Sequence, residues 1–190
     1  MYYKSKGIPL NIQYRPELNS TDQCFRHVLS HVAESLRTLK KVSPSFGKSK
    51  TIRQKMDEIV RNEGSGWQRK VKVNPRIQEK IKAQNYFVEY ICDFNCDMCK
   101  TKHRLLAEIC FDNREAIPAN ILKLDMGIRN FKEKVGGKAL GLIICLDTKA
   151  REVGEWDNSV GTADEYELAL DTGYRDYLDE SNFIALEILV

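Results

Sequence analysis

A chain of 190 residues, 42% hydrophobic and 30% charged, with 11 Gly and 5 Pro, has the composition of one globular domain, which excludes collagen-like, mucin-like and linker sequences. Its net charge of +3 conceals an asymmetry: residues 37–82 hold 14 Lys/Arg against 4 Asp/Glu, and residues 147–190 hold 3 against 12. A basic segment inside a folded domain suits a polyanion, because neutralised phosphates release condensed counterions; a solvated helix face is the plainer account of the same charges.

The longest apolar stretch, residues 139–146, is far shorter than the ~20 residues of a membrane span. The opening MYYKSKGIPL lacks the apolar core of a signal peptide. The expectation is therefore a cytoplasmic protein with no membrane partner. Its six cysteines are then expected as thiols, metal ligands or core residues rather than disulfides.

In chain order, an extended start leads to Ser20-x-x-Gln23, a capping-box pattern. Phe25, Val28, Leu29, Val32, Leu36 and Leu39 recur at helical spacing. Pro44 to Ser49 interrupts that helix. Ile52, Met56, Ile59 and Val60 mark a second one, stopped at Gly64-Ser65-Gly66. Trp67, Val71 and Val73 alternate with charged neighbours as in a short edge strand. Residues 87–98 and 104–112 form two strands around a tight turn. Pro118 opens a helix running through Phe131 to Gly136-Gly137. Residues 139–146 are apolar on both faces, the pattern of a covered central strand. A helix from Thr162 to about Leu178 and a strand from Phe183 to Val190 complete the chain. The expected fold is α/β (α+β), a central mixed β-sheet flanked by helices. It forms a single domain over 1–190, with a basic, helical part (1–85) preceding a sheet core (86–190).

The two long strands carry the chemistry. Val88, Tyr90, Cys92, Phe94, Cys96 and Met98 fall on one face of the first, leaving Asp93, Asn95 and Asp97 on the other. In the second, Glu108, Cys110 and Asp112 oppose the apolar set Leu105, Ala107, Ile109 and Phe111. A turn at Thr101-Lys102 makes paired residue numbers sum to 203, and a slightly longer turn to 205. Either register gathers Asp93, Asp97, Glu108 and Asp112 on one face. Clustered carboxylates repel unless a cation lies between them, and an all-oxygen set suits Mg²⁺. A solvent-facing acidic sheet surface is the bland alternative.

Asp97, a turn, and Glu108-Ile109-Cys110 resemble the PD-(D/E)xK nuclease motif. The run from Glu108 through Phe111, Asn113 and Arg114 into Asn120-Ile121-Leu122-Lys123-Leu124 resembles the active-site hairpin and helix of BglII-like restriction endonucleases. The likeness covers roughly residues 50–147. It implies a restriction-endonuclease-like core and a Mg²⁺-dependent type II deoxyribonuclease. The enzyme would act as a homodimer on double-stranded DNA, at a short palindrome of the GATC-centred kind. By position, Asp97 and Glu108 would hold the metal with the main-chain carbonyl of Ile109, Asp93 being the competing first ligand. Cys110 stands where the superfamily has Lys or Gln. Asn113 and Arg114 would reach base edges, and Lys48, Lys50, Arg53, Arg69, Lys70 and Lys72 would meet phosphates.

The rival signal is cysteine. Cys96-x₂-Cys99-x₃-His103 has zinc-ligand spacing, although strand alternation turns Cys92 and Cys96 into the apolar face. That alternation makes buried free thiols the plainer account; the zinc spacing belongs to the alternative function, a non-catalytic nucleic-acid-binding module with or without a structural zinc at Cys96, Cys99 and His103. His27 and His31, four apart on the polar side of the first helix, could also ligate a metal. A cysteine enzyme using Cys110, or Cys99 with His103, fits less well, since nearby carboxylates oppose a thiolate at Cys110.

Overall fold

The computed structural model describes residues 11–15, 23–39, 48–62, 64, 66–73, 86–111, 113–153, 159–173, 176–178 and 182–189. Ser20 and Asp112, which figure in the sequence reading, lie outside them, as do Tyr174 and Arg175 of the expected Thr162–Leu178 helix and the side chains of Lys48 and Lys50.

Among the described residues six strands form one mixed sheet: β1 (Asn11–Arg15), β2 (Trp67–Lys72), β3 (Phe87–Asn95), β4 (Lys102–Ile109), β5 (Lys138–Leu146) and β6 (Phe183–Leu189). Their order across the sheet is β1-β6-β5-β4-β3-β2. β5 lies parallel between β4 and β6, and all its residues from Ala139 to Leu146 are buried, as a strand covered on both faces requires. β2 is the edge strand its alternation indicated. The extended start becomes the opposite edge, β1, antiparallel to β6.

Two apolar layers sandwich this sheet. On one face lie α1 (Gln23–Arg37) and α2 (Lys48–Arg61). Phe25, Leu29, Val32 and Leu36 of α1 and Ile52, Met56 and Ile59 of α2 pack with Tyr90, Cys92, Leu105 and Ala107. On the other lies α3 (Ile117–Val135), whose Ile121, Leu124, Ile128 and Phe131 cover Ile91, Leu106 and Ile143. Each such side chain removed from water contributes roughly 1.5–3 kcal/mol. Pro118 sits in the first turn of α3, and Gly136 at φ 71° ends it, its N–H bonded to the Lys132 carbonyl.

Three element boundaries differ from the sequence reading. The hairpin strands end earlier, at Asn95 and Ile109, with residues 97–99 forming a turn. A short helix α4 (Thr148–Val153), started by Asp147 accepting from the Lys149 N–H at 2.9 Å, was not anticipated. The helix expected through Leu178 is regular only as α5 (Ala163–Leu168) and widens to a π-type turn over Ala169–Gly173. There the Thr172 hydroxyl bonds back to the Leu168 carbonyl at 2.6 Å, and Gly173 contributes little helical preference.

Candidate active site

In the β3–β4 hairpin Tyr90 pairs with Ala107, Asp93 with Arg104 and Asn95 with Lys102. Paired numbers therefore sum to 197, and the expected sums of 203 and 205 are corrected. The cause is a turn that starts sooner: Cys96 N–H bonds the Thr101 carbonyl at 3.0 Å, and Lys100, at φ 56°, bonds back to Cys96. The slip is an even number of residues, so the face assignment survives from Tyr90 onward while the neighbours change; Val88, expected beside Tyr90 and Cys92, packs instead in the other layer with Ile91 and Leu106.

The new register places Glu89, not Asp97, across from Glu108. The two are linked reciprocally: Glu89 N–H donates to Glu108 Oε1 at 3.0 Å, and Ile109 N–H donates to Glu89 Oε2 at 3.1 Å. They sit at the start of β3 and the end of β4, at the sheet end where parallel strands β4, β5 and β6 finish. Open α/β sheets bind ligands at that end.

Each carboxylate has a cation from a different helix. Lys123 Nζ of α3 lies 2.8 Å from Glu108 Oε2. From α2, Arg53 Nη2 lies 2.9 Å from Glu89 Oε1 and 3.4 Å from the Ile109 carbonyl oxygen, so one guanidinium spans both oxygens. Glu108 is 2% exposed, and burial pushes its carboxyl up to about 7, even though Lys123 pulls the other way. Glu89 remains partly open to solvent. The result is a half-enclosed group of two carboxylates and a carbonyl, all hard oxygen donors, which suits a divalent cation such as Mg²⁺. The guanidinium already bridging Glu89 and Ile109 shows that these oxygens accept a shared positive charge.

The other expected site residues fall elsewhere. Asp97 is in the turn, fully exposed, with Lys100 Nζ at 3.9 Å. Six residues of β4, Lys102 to Ala107, lie between the turn and Glu108, roughly 20 Å at about 3.3 Å per residue, so the structure does not bring Asp97 and Glu108 together. Asp93 shares the Glu108 face but is held by Arg104 through two bonds of 2.6 and 2.7 Å, with Lys102 at 3.6 Å. Burial would raise its carboxyl; these cations more than offset that and hold it below the ordinary carboxylate range. Arg104 is itself fixed over the Phe131 ring, 4.7 Å from its centroid. The Ile109 carbonyl oxygen faces the Arg53 guanidinium, and the Ile109 N–H donates to Glu89.

Cys110 follows Glu108 on the same face but is buried, its sulfur 3.5 Å from Asn120 Nδ2 and 3.6 Å from the Glu108 carbonyl. Burial pushes its thiol far up, so it stays neutral. The Asn113 side chain accepts from the Glu115 N–H at 3.4 Å and so caps the 3₁₀ turn Arg114–Ala116. Arg114 is exposed, with Glu165 at 3.6 Å. Of the basic residues expected to be exposed, Arg53 is engaged at the carboxylates and Arg69 pairs with Asp57 at 2.9 Å. Lys70 and Lys72 are exposed on β2, Lys70 lying between the pairs Arg69↔Tyr90 and Val71↔Val88, level with Glu89. Lys48 and Lys50 open α2.

Glu89 and Lys123 are the residues that sequence reasoning passed over. Glu89 shares the odd numbering of Asp93, so a turn recognised at Met98-Cys99 would have paired it with Glu108. Lys123 lay within the helix run already compared with the endonucleases, but nothing in its spacing announced that it reaches back to the hairpin.

No protein-family model and no curated protein matches the chain in sequence. In three dimensions it is similar to the restriction endonuclease BglII crystallised with a DNA 16-mer: TM-score 0.59 at 10% identity, over 96% of this chain and 77% of that one. The fold is restriction-endonuclease-like. At that identity the likeness establishes the arrangement of strands and helices, and the roles of individual residues rest on the geometry given above. Among the described residues no helix is long and apolar enough to cross a membrane.

Proposed function

We propose that the chain is a metal-dependent endonuclease of double-stranded DNA, of the site-specific type II kind. The observation that carries the reading is the Glu89–Glu108 pair beside the Ile109 carbonyl, at the open sheet end of a fold whose structural neighbour was crystallised on DNA. Glu89, Glu108 and that carbonyl would hold Mg²⁺. A hard divalent ion there supplies polarisation of the scissile phosphate and activation of water.

Hydrolysis adds a water oxygen to phosphorus and breaks one P–O ester bond, building negative charge on the phosphoryl oxygens. The chain answers that charge with Lys123 and Arg53, fixed cations within reach of the carboxylates. Lys123 does what the residue at position 110 does not, since Cys110 is a neutral buried thiol without charge or amide. It also favours the ionised form of Glu108. Arg53 spans the Glu89 and Ile109 oxygens and so competes with a cation for them until it turns towards substrate. Lys70 and Lys72, exposed beside Glu89 on the edge strand, are placed to meet the flanking backbone phosphates. One carboxylate pair serves one strand, so cutting both strands at matched positions calls for two copies about a two-fold axis and a palindromic site.

Incubation of a fully sequenced supercoiled plasmid with Mg²⁺ tests the reading. Cuts at one short palindrome, absent with a chelator and absent in Glu108→Ala and Glu89→Ala proteins that still bind DNA, are the expected result. Wild-type cutting by both variants would reject the site. Salt-bridged neutralisation of both carboxylates also favours a second reading, DNA binding without cleavage. Retained binding with no cleavage under any divalent ion would select it.

A further inference from the structure

At the opposite end of the β3–β4 hairpin from the carboxylates, four soft donors converge. Cys24 comes from the first turn of α1, Cys96 precedes the hairpin turn, Cys99 lies within it, and His103 is the second residue of β4. All four ligand atoms lie within 4.8 Å of one another. Cys24 Sγ is 3.6 Å from Cys99 Sγ, and Cys99 Sγ is 3.7 Å from His103 Nε2. A tetrahedral zinc with bonds of about 2.3 Å to sulfur and about 2.05 Å to nitrogen separates two sulfurs by about 3.8 Å and sulfur from nitrogen by about 3.6 Å. We propose that Cys24, Cys96, Cys99 and His103 form a structural zinc site of the Cys₃His type, pinning α1 to the hairpin turn.

The histidine is prepared for that role independently of the sulfurs. Its Nδ1 is 3.1 Å from the Thr101 carbonyl oxygen. That oxygen can only accept, so Nδ1 carries the proton and Nε2 presents its lone pair towards Cys99. Metal-bound histidines are oriented by this kind of outer hydrogen bond. His103 is wholly buried, with the rings of Phe25 and Phe94 5.3 and 5.6 Å away. Cys24 and Cys96 are buried and Cys99 is exposed. Zinc would enter by displacing three thiol protons, with His103 neutral, and no oxidant or reductant takes part.

The same geometry offers one competing state. The Cys24 and Cys96 sulfurs are joined in the structure, with Cα atoms 5.5 Å apart, within the span of a disulfide. A disulfide and the zinc site exclude each other, since both claim these two sulfurs. The sequence reading placed only Cys96, Cys99 and His103 near the turn; the fourth donor arrives from a helix more than seventy residues earlier, beyond the reach of any local spacing rule.

The test uses the full chain, expressed with added zinc and purified with a phosphine reductant and no chelator. Metal analysis should find about one zinc per chain. Replacement by Co²⁺ should give the visible d–d bands of a tetrahedral site with a thiolate charge-transfer band in the near ultraviolet. Cys99→Ser and His103→Gln should lose the metal while keeping Cys24 and Cys96 as free thiols in the reductant. The wild-type cobalt spectrum keeps the test decisive should either variant fail to fold. Metal-free reduced protein, a cobalt spectrum without thiolate bands, or an intact mass showing Cys24–Cys96 oxidised in protein isolated without oxidant would each overturn the proposal. None of these readouts depends on nuclease activity.

Discussion

Glu108 sits near the sheet's working end with its carboxyl held at about 7 by burial, against an ordinary value of 4.5. Between those values the folded chain keeps a proton that the unfolded chain has released. Stability of the ion-free protein should therefore fall as pH rises from about 4.5 to about 7, by roughly 3 kcal/mol in all. Urea titrations across that window should show the decline in wild type and a flatter profile in Glu108→Gln. The same proton competes with a metal ion for the carboxylate, so the cleavage rate should climb nearly tenfold per pH unit below about 7 and level off above it. A rate independent of pH from 5 to 8 would detach Glu108 from the chemistry. Arg53 makes a separate prediction: because its guanidinium occupies the Glu89 and Ile109 oxygens, Arg53→Ala should lower the Mg²⁺ concentration needed for half-maximal binding, read by calorimetry without DNA.

Hairpin and covering helix together decide which of these residues meet. α3 approaches β4 closely at Gly127, where an added Cβ would strike the Leu106 side chain and come within 2.9 Å of Val73 Cγ1. Gly127→Ala would gain helix propensity yet should still destabilise, by about 1–2 kcal/mol in denaturant unfolding. By levering α3 outward it should also lengthen the Lys123–Glu108 contact and slow cleavage. Period-two alternation disclosed the hairpin faces, and the doubly apolar run at 139–146 disclosed the central strand, because both patterns are local consequences of burial. Register was not local in this sense. It depended on a turn whose key residue, Lys100, adopts a left-handed backbone that Lys rarely chooses, so a tighter turn looked equally good on paper. Glu89 was missed for that reason alone. Lys123 and Cys24 depend on how helices dock across the sheet, which no periodicity encodes. The widening of the helix after Leu168 goes with one threonine hydroxyl, Thr172, donating to the Leu168 carbonyl four residues back.

Over the whole molecule the charge asymmetry acquires a partial address. Lys70 and Lys72 are exposed on the edge strand beside the carboxylates, whereas part of the remaining basic segment is spent on internal pairs such as Arg53–Glu89 and Arg69–Asp57. Replacing both lysines by Gln should flatten the log–log salt dependence of DNA affinity by up to about 2, close to 0.9 for each phosphate no longer neutralised. An unchanged slope would move the DNA path off this edge. Sedimentation of the complex should find two chains per palindrome. At the other edge, β1 closes the sheet by pairing Ile12 with Ile188, partners separated by nearly the entire chain. Loop closure over such a distance comes late, since its entropy cost precedes any local reward. During synthesis β1 leaves the ribosome well before β6, and it has no place to bind until β6 has been made. For that interval Tyr14, whose side chain is buried in the finished fold, must wait in solvent, and a newborn chain stalled before β6 presents an open β6 position to any passing strand, including β1 of another copy.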